Sequence, residues 1–304
     1  TSELTPAADP RDPDSLSLML NGGTINNRIS GGSLKGDLEG IAQYKDARDR
    51  VNLLSASIVK EVNLAHSAGY GLDGSTGADF FSPLSVYANA NSANTGGAAI
   101  TTGTVTGLSA LTLDDYEIRF SGPGAYNVVN LETDAVVTGG AYTSGSAITF
   151  DGLSVVISHG SKTPQAGDRF VVSATRNAAI EMGVEVTDPR KIAASATLAG
   201  LPGDNVNAMA MADLREAVSL EGATFGQFYN RIVTDIGTAG NDARINYEAQ
   251  NNFTQELRAA REAVSGVSIE EEAINLVKLQ RAYEAAAKVM STVDQMMETI
   301  LRLR

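Results

Sequence analysis

Ser265-Gly266-Val267-Ser268-Ile269-Glu270-Glu271-Glu272-Ala273-Ile274-Asn275-Leu276-Val277-Lys278-Leu279-Gln280-Arg281-Ala282-Tyr283 opens the last stretch of the chain, which runs on to Arg304. From Ser268 onward it contains neither Gly nor Pro, so one continuous helix is expected. Ser268 and Glu271 have capping-box spacing. Glu270, Glu271 and Glu272 sit at the positive end of the helix dipole, Arg302 and Arg304 at the negative end. Ala273, Leu276, Gln280, Tyr283, Ala287, Met290, Asp294, Met297 and Leu301 step alternately by three and four. That seam suits a second helix lying alongside. Gln280 and Asp294 interrupt it, and polar residues in a seam lower stability while fixing register.

Working back, Thr224 and Gln227 form another capping box. They open a helix to about Val264, with Phe228, Ile232, Ile236, Ala239, Ala243, Asn246, Gln250, Phe253, Leu257, Ala260 and Val264 on one face. That face is expected to be covered by the helix's own bundle. Asn246, Gln250 and Gln280 either set register or sit at partly solvated edges. A shorter helix capped by Asp204 or Asn205 is expected through Met209, Leu214 and Val218. Far upstream, a first long helix runs from about Ser33 to Ala68, with Gly69 as its carboxy cap.

Between the helical flanks the period changes. Tyr116 to Phe120, Tyr126 to Leu131, Ala147 to Phe150, Ser154 to Ser158 and Arg169 to Val172 are short and rich in β-branched or aromatic residues. Asp151-Gly152 is a hairpin signal, and Gly122 to Gly124 and Gly139-Gly140 read as turns. Residues 88 to 107 carry few large side chains and read as a linker. Ser15 to Leu20 alternates like a short strand, ending at Asn21-Gly22-Gly23.

The expected fold class is α+β multidomain. Residues 1–14, with three prolines, form a tail or linker. Residues 15–84 plus 177–265 form a discontinuous helical-bundle body. Residues 85–176 form an inserted antiparallel β module, able to behave as an independent unit. Residues 266–304 form a carboxy-terminal assembly helix. At 304 residues two or more units are expected. The chain starts at Thr1 inside a polar stretch, so an amino-terminal region is expected to be missing.

Composition narrows the function. There is no cysteine, hence no disulfide framework or thiol chemistry. The formal charge of −13 repels phosphate backbones and argues against nucleic acid. No apolar run is long enough to span a membrane. Catalysis needs convergent ionisable groups, and the only histidines, His66 and His159, fall in different predicted domains. His66, near a helix end, reads as a dipole partner. Asp73, Ser75 and Asp79 invite a calcium loop, but position twelve counted from Asp73 is Leu84, so an ordinary glycine-rich turn is expected. Phe80 and Phe81 are expected to plug that turn into the helical body. No catalytic residue, metal site or cofactor is assigned, and the expectation is a non-enzyme.

The run SGVSIEEEAINLVKLQRAYEAAAKVMSTVDQMMETILRLR resembles the carboxy-terminal signature of bacterial flagellar axial proteins. A second stretch, Glu61-Val62-Asn63-Leu64-Ala65-His66-Ser67-Ala68-Gly69-Tyr70-Gly71-Leu72-Asp73-Gly74, narrows the resemblance to the hook-associated protein 1 family of the hook–filament junction. The β module is matched only in type. The resemblance implies a structural subunit of the bacterial flagellum, extracellular and exported through the flagellar type III system. Implied partners are neighbouring copies, hook protein, the next hook-associated protein, and an export chaperone at the carboxy-terminal helix. The assembly face implied is Ala273, Leu276, Gln280, Tyr283, Ala287, Met290, Met297 and Leu301. The alternative class is a surface adhesin or glycan-binding protein with the β module as binding head.

Overall fold

A computed structural model describes residues 4–9, 15–21, 23–265 and 269–302. The chain separates into two compact units, Thr1–Gly237 and Thr238–Arg304.

The first unit is organised on α1, Gly32–Ala68. Only its second half is buried, through Leu54, Ala56, Val59, Asn63 and His66, while Leu34, Ile41 and Tyr44 in the first half stay exposed. The helix stops at Gly69, whose N–H reaches the His66 carbonyl at 3.2 Å. A three-stranded antiparallel sheet precedes it: β1 (Leu4–Ala8), β2 (Leu16–Leu20) and β3 (Gly23–Thr24), in that order. The expected tail is thus partly a strand. Pro6 is tolerated because β1 is an edge strand, where a missing N–H need not interrupt a ladder. Lys45 Nζ donates to Ser15 Oγ at 3.1 Å and ties this sheet to α1. Residues 10–14 of the expected tail lie outside the described residues.

The β module is a sandwich of two antiparallel sheets. One has the order β4 (Tyr87–Ala90), β11 (Arg169–Ser173), β6 (Tyr116–Gly122), β7 (Ala125–Asn130), β8 (Val136–Ala141). The other has the order β5 (Ala98–Val105), β10 (Leu153–His159), β9 (Ala147–Phe150). Strand β10 shows the two-residue period directly, with Leu153, Val155 and Ile157 fully buried and Ser154, Val156 and Ser158 half-buried. Asp151 (φ 40°) and Gly152 (φ 77°) make the two-residue turn between Phe150 and Leu153. Phe120 stacks edge-to-face with both Tyr142 and Phe170.

Three expectations on this module fail. The linker expected over 88–107 contains most of β4 and all of β5. β4 reads YANA, has little strand propensity and is set by pairing with β11, whereas β5 carries the β-branched residues Ile100, Thr101, Thr102, Thr104 and Val105, a strand signal that the Ala, Asn and Gly of the wider stretch obscured. Gly139-Gly140 is not a turn but lies inside β8. A Cβ at Gly139 would fall 2.3 Å from Asn127 Oδ1 on β7, so the glycine serves close strand packing. The third failure concerns independence. Ala56 and Val59 of α1 belong to the same buried apolar cluster as Ile118, Val155 and Phe170, so the sandwich shares its core with the helix.

The chain returns through α2 (Ala178–Glu181) and α3 (Val206–Asp213). α3 ends well before the expected Val218. Its Leu214 and Val218 positions lie beyond the helix, and Val218 is exposed. Asn205 holds the cap position without a side-chain cap bond, and Asp204 just before it takes the first helical N–H, its Oδ1 accepting from Val206 N at 3.0 Å. Helix α4 (Phe225–Ser265) opens on the Thr224–Gln227 capping box, with reciprocal bonds of 3.1 and 3.2 Å. Its first turns are anchored: Phe228 and Ile232 pack with Leu54, Leu220 and Ala223, and Arg50 pairs with Asp235 at 2.6 Å. The last helix is α5, Ile269–Arg302.

Candidate assembly surface

Two regions need explaining, the 61–74 motif and the terminal helices. The motif is a clamp. Asn63 is fully buried on α1, and each end of its amide is used. Nδ2 donates to the Phe81 carbonyl at 2.9 Å, and Oδ1 accepts from Phe80 N and Phe81 N at 3.0 and 2.8 Å. One turn on, His66 is 1% exposed. Its Nδ1 faces the Ala78 carbonyl at 2.8 Å, and its Nε2 accepts from Ala193 N at 3.0 Å. A ring that accepts at one nitrogen and donates at the other is the neutral tautomer. His66 therefore joins the outgoing chain to the returning chain, rather than answering the helix dipole as its position suggested.

Glycines complete the clamp. A Cβ at Gly69 would lie 2.2 Å from Asn207 Nδ2 and 2.9 Å from the Ser195 carbonyl. One at Gly71 would lie 2.7 Å from the Arg190 carbonyl. Tyr70 and Ser195 exchange backbone hydrogen bonds of 2.8 and 3.2 Å. Asn207 donates to the carbonyls of Ala65 and Ala193. The Asp73 carboxylate is taken by the hydroxyl and N–H of Ser75, which hold its pKa below the usual value. That is the ordinary turn expected there, and Phe80 and Phe81 plug it as expected, Phe80 against His66 and Phe81 against the core. Among the described residues no three His, Asp or Glu side chains group to hold a metal ion.

The terminal helices are built the opposite way. From Gly240 to Arg302 every residue whose side chain is described is exposed. Among the described residues the covering bundle expected over the 224–264 face is not found past Ile232: Ile236, Phe253, Leu257 and Val264 are all exposed. The middle of that face is Ala239, Ala243, Asn246 and Gln250, which offers little apolar area to hold a neighbour. On α5 the candidate residues Ala273, Leu276, Gln280, Tyr283, Ala287, Met290, Met297 and Leu301 are likewise exposed, Leu276 by 66% and Tyr283 by 78%. Glu270 to Glu272 occupy its first turn and Arg302 its last, as the dipole favours. The Ser268 half of the expected capping box, Gly266 and Arg304 lie outside the described residues.

The helix also carries a second apolar phase. Leu276, Leu279, Tyr283, Ala286, Met290, Val293, Met297 and Ile300 also step by three and four, without a charged or amide member. All are exposed. Gln280 and Asp294 flank this phase instead of interrupting it. The sequence holds both phases, and the periodicity of the heptad alone is enough to reveal the second.

The comparisons with known proteins follow this division. A model of the "Flagellar hook-associated protein FlgK helical domain" matches residues 1–81. A model of the "Flagellar hook-associated protein 1, D2-like domain" matches residues 89–174. The chain belongs to the flagellar hook-associated protein 1 family. A model of the "Flagellar basal body rod FlgEFG protein C-terminal" matches residues 261–303, which include α5. Flagellar hook-associated protein 1 of Escherichia coli is 28% identical over 99% of this chain and 56% of its own length. That of Salmonella typhimurium is 29% identical over 91% of this chain and 50% of its own. The chain thus spans about half the length of the curated relatives it matches. The flagellar hook junction protein FlgK of Burkholderia pseudomallei, a solved structure, superposes with a TM-score of 0.51 at 26% identity, over 64% of this chain and 37% of that one. Among the described residues no helix is long and apolar enough to cross a membrane.

Proposed function

We propose that this chain is part of a structural, non-enzymatic subunit that joins hook to filament in the bacterial flagellum. The observation that carries the reading is family membership spread along the chain, with family models matching the helical region, the β module and the last helix in order. The exposed terminal helices supply a mechanism. An apolar seam left open in the single chain becomes buried when neighbours arrive, so assembly and burial are coupled. Each fully buried Leu, Met or Ile contributes roughly 1.5–3 kcal/mol, which a seam of this length multiplies.

In this reading α5, through Leu276, Tyr283, Met290 and Met297, packs against neighbouring copies in the assembled structure. Hook protein and the next hook-associated protein adjoin it, and an export chaperone covers α5 beforehand. The protein leaves through the flagellar type III system and resides outside the cell. Residues 85–176 face outward as the inserted module, with residues 15–84 and 177–265 as the body.

The test is electron microscopy of cells lacking this protein. Hooks without filaments, with flagellin released into the medium, are expected. Intact filaments together with a loss of adhesion would replace this reading with that of an adhesin.

A further inference from the structure

The chain has no cysteine, so its oxidisable sulfur lies in seven methionines. They fall into two groups. Met19 in β2, Met182 just past α2 and Met211 in α3 are half-buried, and Met182 packs against the core that α1 shares with the sandwich. Met209 on α3 is exposed, and so are three methionines close together on α5. Met290, Met296 and Met297 are between 56% and 68% exposed. Met290 and Met297 stand one heptad apart, so they share a stripe, and both apolar phases of α5 run through them. Met296 lies beside that stripe, at helical spacing from Val293 and Ile300, which are exposed as well. The distal third of the seam is therefore faced with thioethers, and solvent reaches all of them in the single chain.

We propose that Met290, Met296 and Met297 form an oxidation site, at which a two-electron oxidant of the hydrogen peroxide class disables the seam of α5. The inference rests on the reading that α5 packs against neighbours. A sulfur lone pair attacks one peroxide oxygen. The S–O bond forms as the O–O bond breaks, and the departing oxygen takes the remaining proton and leaves as water. The sulfur gives up two electrons and the peroxide gains them. The sulfoxide carries a strong acceptor where an adaptable apolar thioether stood, and an apolar helix contact offers that acceptor no donor. Covering the seam shields the sulfurs, so oxidation acts on the chain before it packs. Reductases specific for each sulfoxide epimer restore the thioether. Since the three side chains are already in solvent, the change falls on association and not on the stability of the single chain.

Two measurements test this. Purified full-length protein, treated briefly with hydrogen peroxide and mapped by peptide mass spectrometry, should be oxidised at Met290, Met296, Met297 and Met209 about tenfold faster than at the packed Met182. In cells, Met290→Gln, Met296→Gln and Met297→Gln together place a polar amide of similar length at each position, with little change in helix propensity. The purified variant is expected to melt as the parent does, and the number of filaments per cell is expected to fall about tenfold or more, as for a seam weakened by one or two buried methionines. The three leucine substitutions at the same positions keep the apolar face and should leave motility unchanged, as should Met209→Gln, which lies outside the seam. Where the triple glutamine variant melts lower, Met290→Gln alone replaces it. Filaments retained with the glutamines while Leu276→Asp removes them overturn this inference and spare the reading beneath it; filaments retained in both overturn both. Equal loss with the leucines, which would make shape and not polarity the cause, or Met182 oxidised as fast as Met290, also overturns it.

Discussion

The clamp around α1 and the terminal helices use the chain to opposite ends. Around Asn63 and His66 each buried polar atom has a named partner, and two glycines are required because backbone or side chain from residues 190–207 lies against them. Along Gly240 to Arg302 no described side chain is buried, and apolar residues face solvent in a regular repeat. The first region has completed its contacts within the chain. The second leaves its apolar face uncovered among the described residues. Stability should therefore respond to changes in one, and association to changes in the other.

The contrast is most severely tested at Asn63. Asn63→Ala leaves two N–H groups and one carbonyl buried without their partner. It is expected to cost about 3 kcal/mol of unfolding free energy, measured by denaturant titration of the isolated chain. A loss under about 1 kcal/mol would mean that the clamp is ornamental. Next comes Gly69→Ala, whose methyl must displace Asn207 and crowds the Ser195 carbonyl; a loss of about 1–3 kcal/mol is expected. Restoration by Asn207→Ala would be partial, because the Ser195 contact is backbone and remains.

A smaller effect is expected from Asp168, which is buried beside the loop leading into β5. Burial works to raise its pKa, but the N–H groups of Gln165, Thr95 and Gly96 outweigh it, and the net shift is downward. A carboxylate held below its unfolded value adds stability that is fully present above the unfolded value. That stability is lost as pH falls through the folded one. Asp168→Asn should thus lower stability near neutral pH and flatten its decline on the acid side, as followed by thermal melts across pH. An unchanged acid limb would remove Asp168 from the account.

The smallest effect on stability is expected at Leu276→Asp. In the isolated chain the side chain is already in solvent, so the change should stay within about 0.5 kcal/mol. The same variant should abolish motility, because an unpaired carboxylate at a packed helix contact costs several kcal/mol, roughly. A normal swimming phenotype, or a clear loss of stability in the isolated chain, would erase the distinction between the two regions.

Sequence periodicity and local motifs alone settled the long helices, the Thr224–Gln227 box, the Asp151-Gly152 hairpin and five strands of the β module. Each is determined by neighbours in sequence: apolar spacing, a hydroxyl three residues from an amide, a glycine where φ must be positive. The 61–74 motif was legible as a family resemblance but not as a mechanism. What Asn63, His66 and Gly69 do depends on residues 80–81, 193–195 and 207, which only the fold brings to them. Strand β4, YANA, was missed for the same reason, since it is a strand only through its partner β11, whereas β5 and β8 do carry β-branched residues, and it is the glycines among them, placed by close strand packing at Gly139, that read as linker and turn. The tertiary structure also decided which apolar stripes are used. Phe228 and Ile232 are covered by Leu54 and Leu220, whereas Phe253 and Leu276 share the same kind of spacing and remain open. A repeat of three and four shows that a helix has a face to bury, but burial needs a second surface at that place, and periodicity carries no information about where one is.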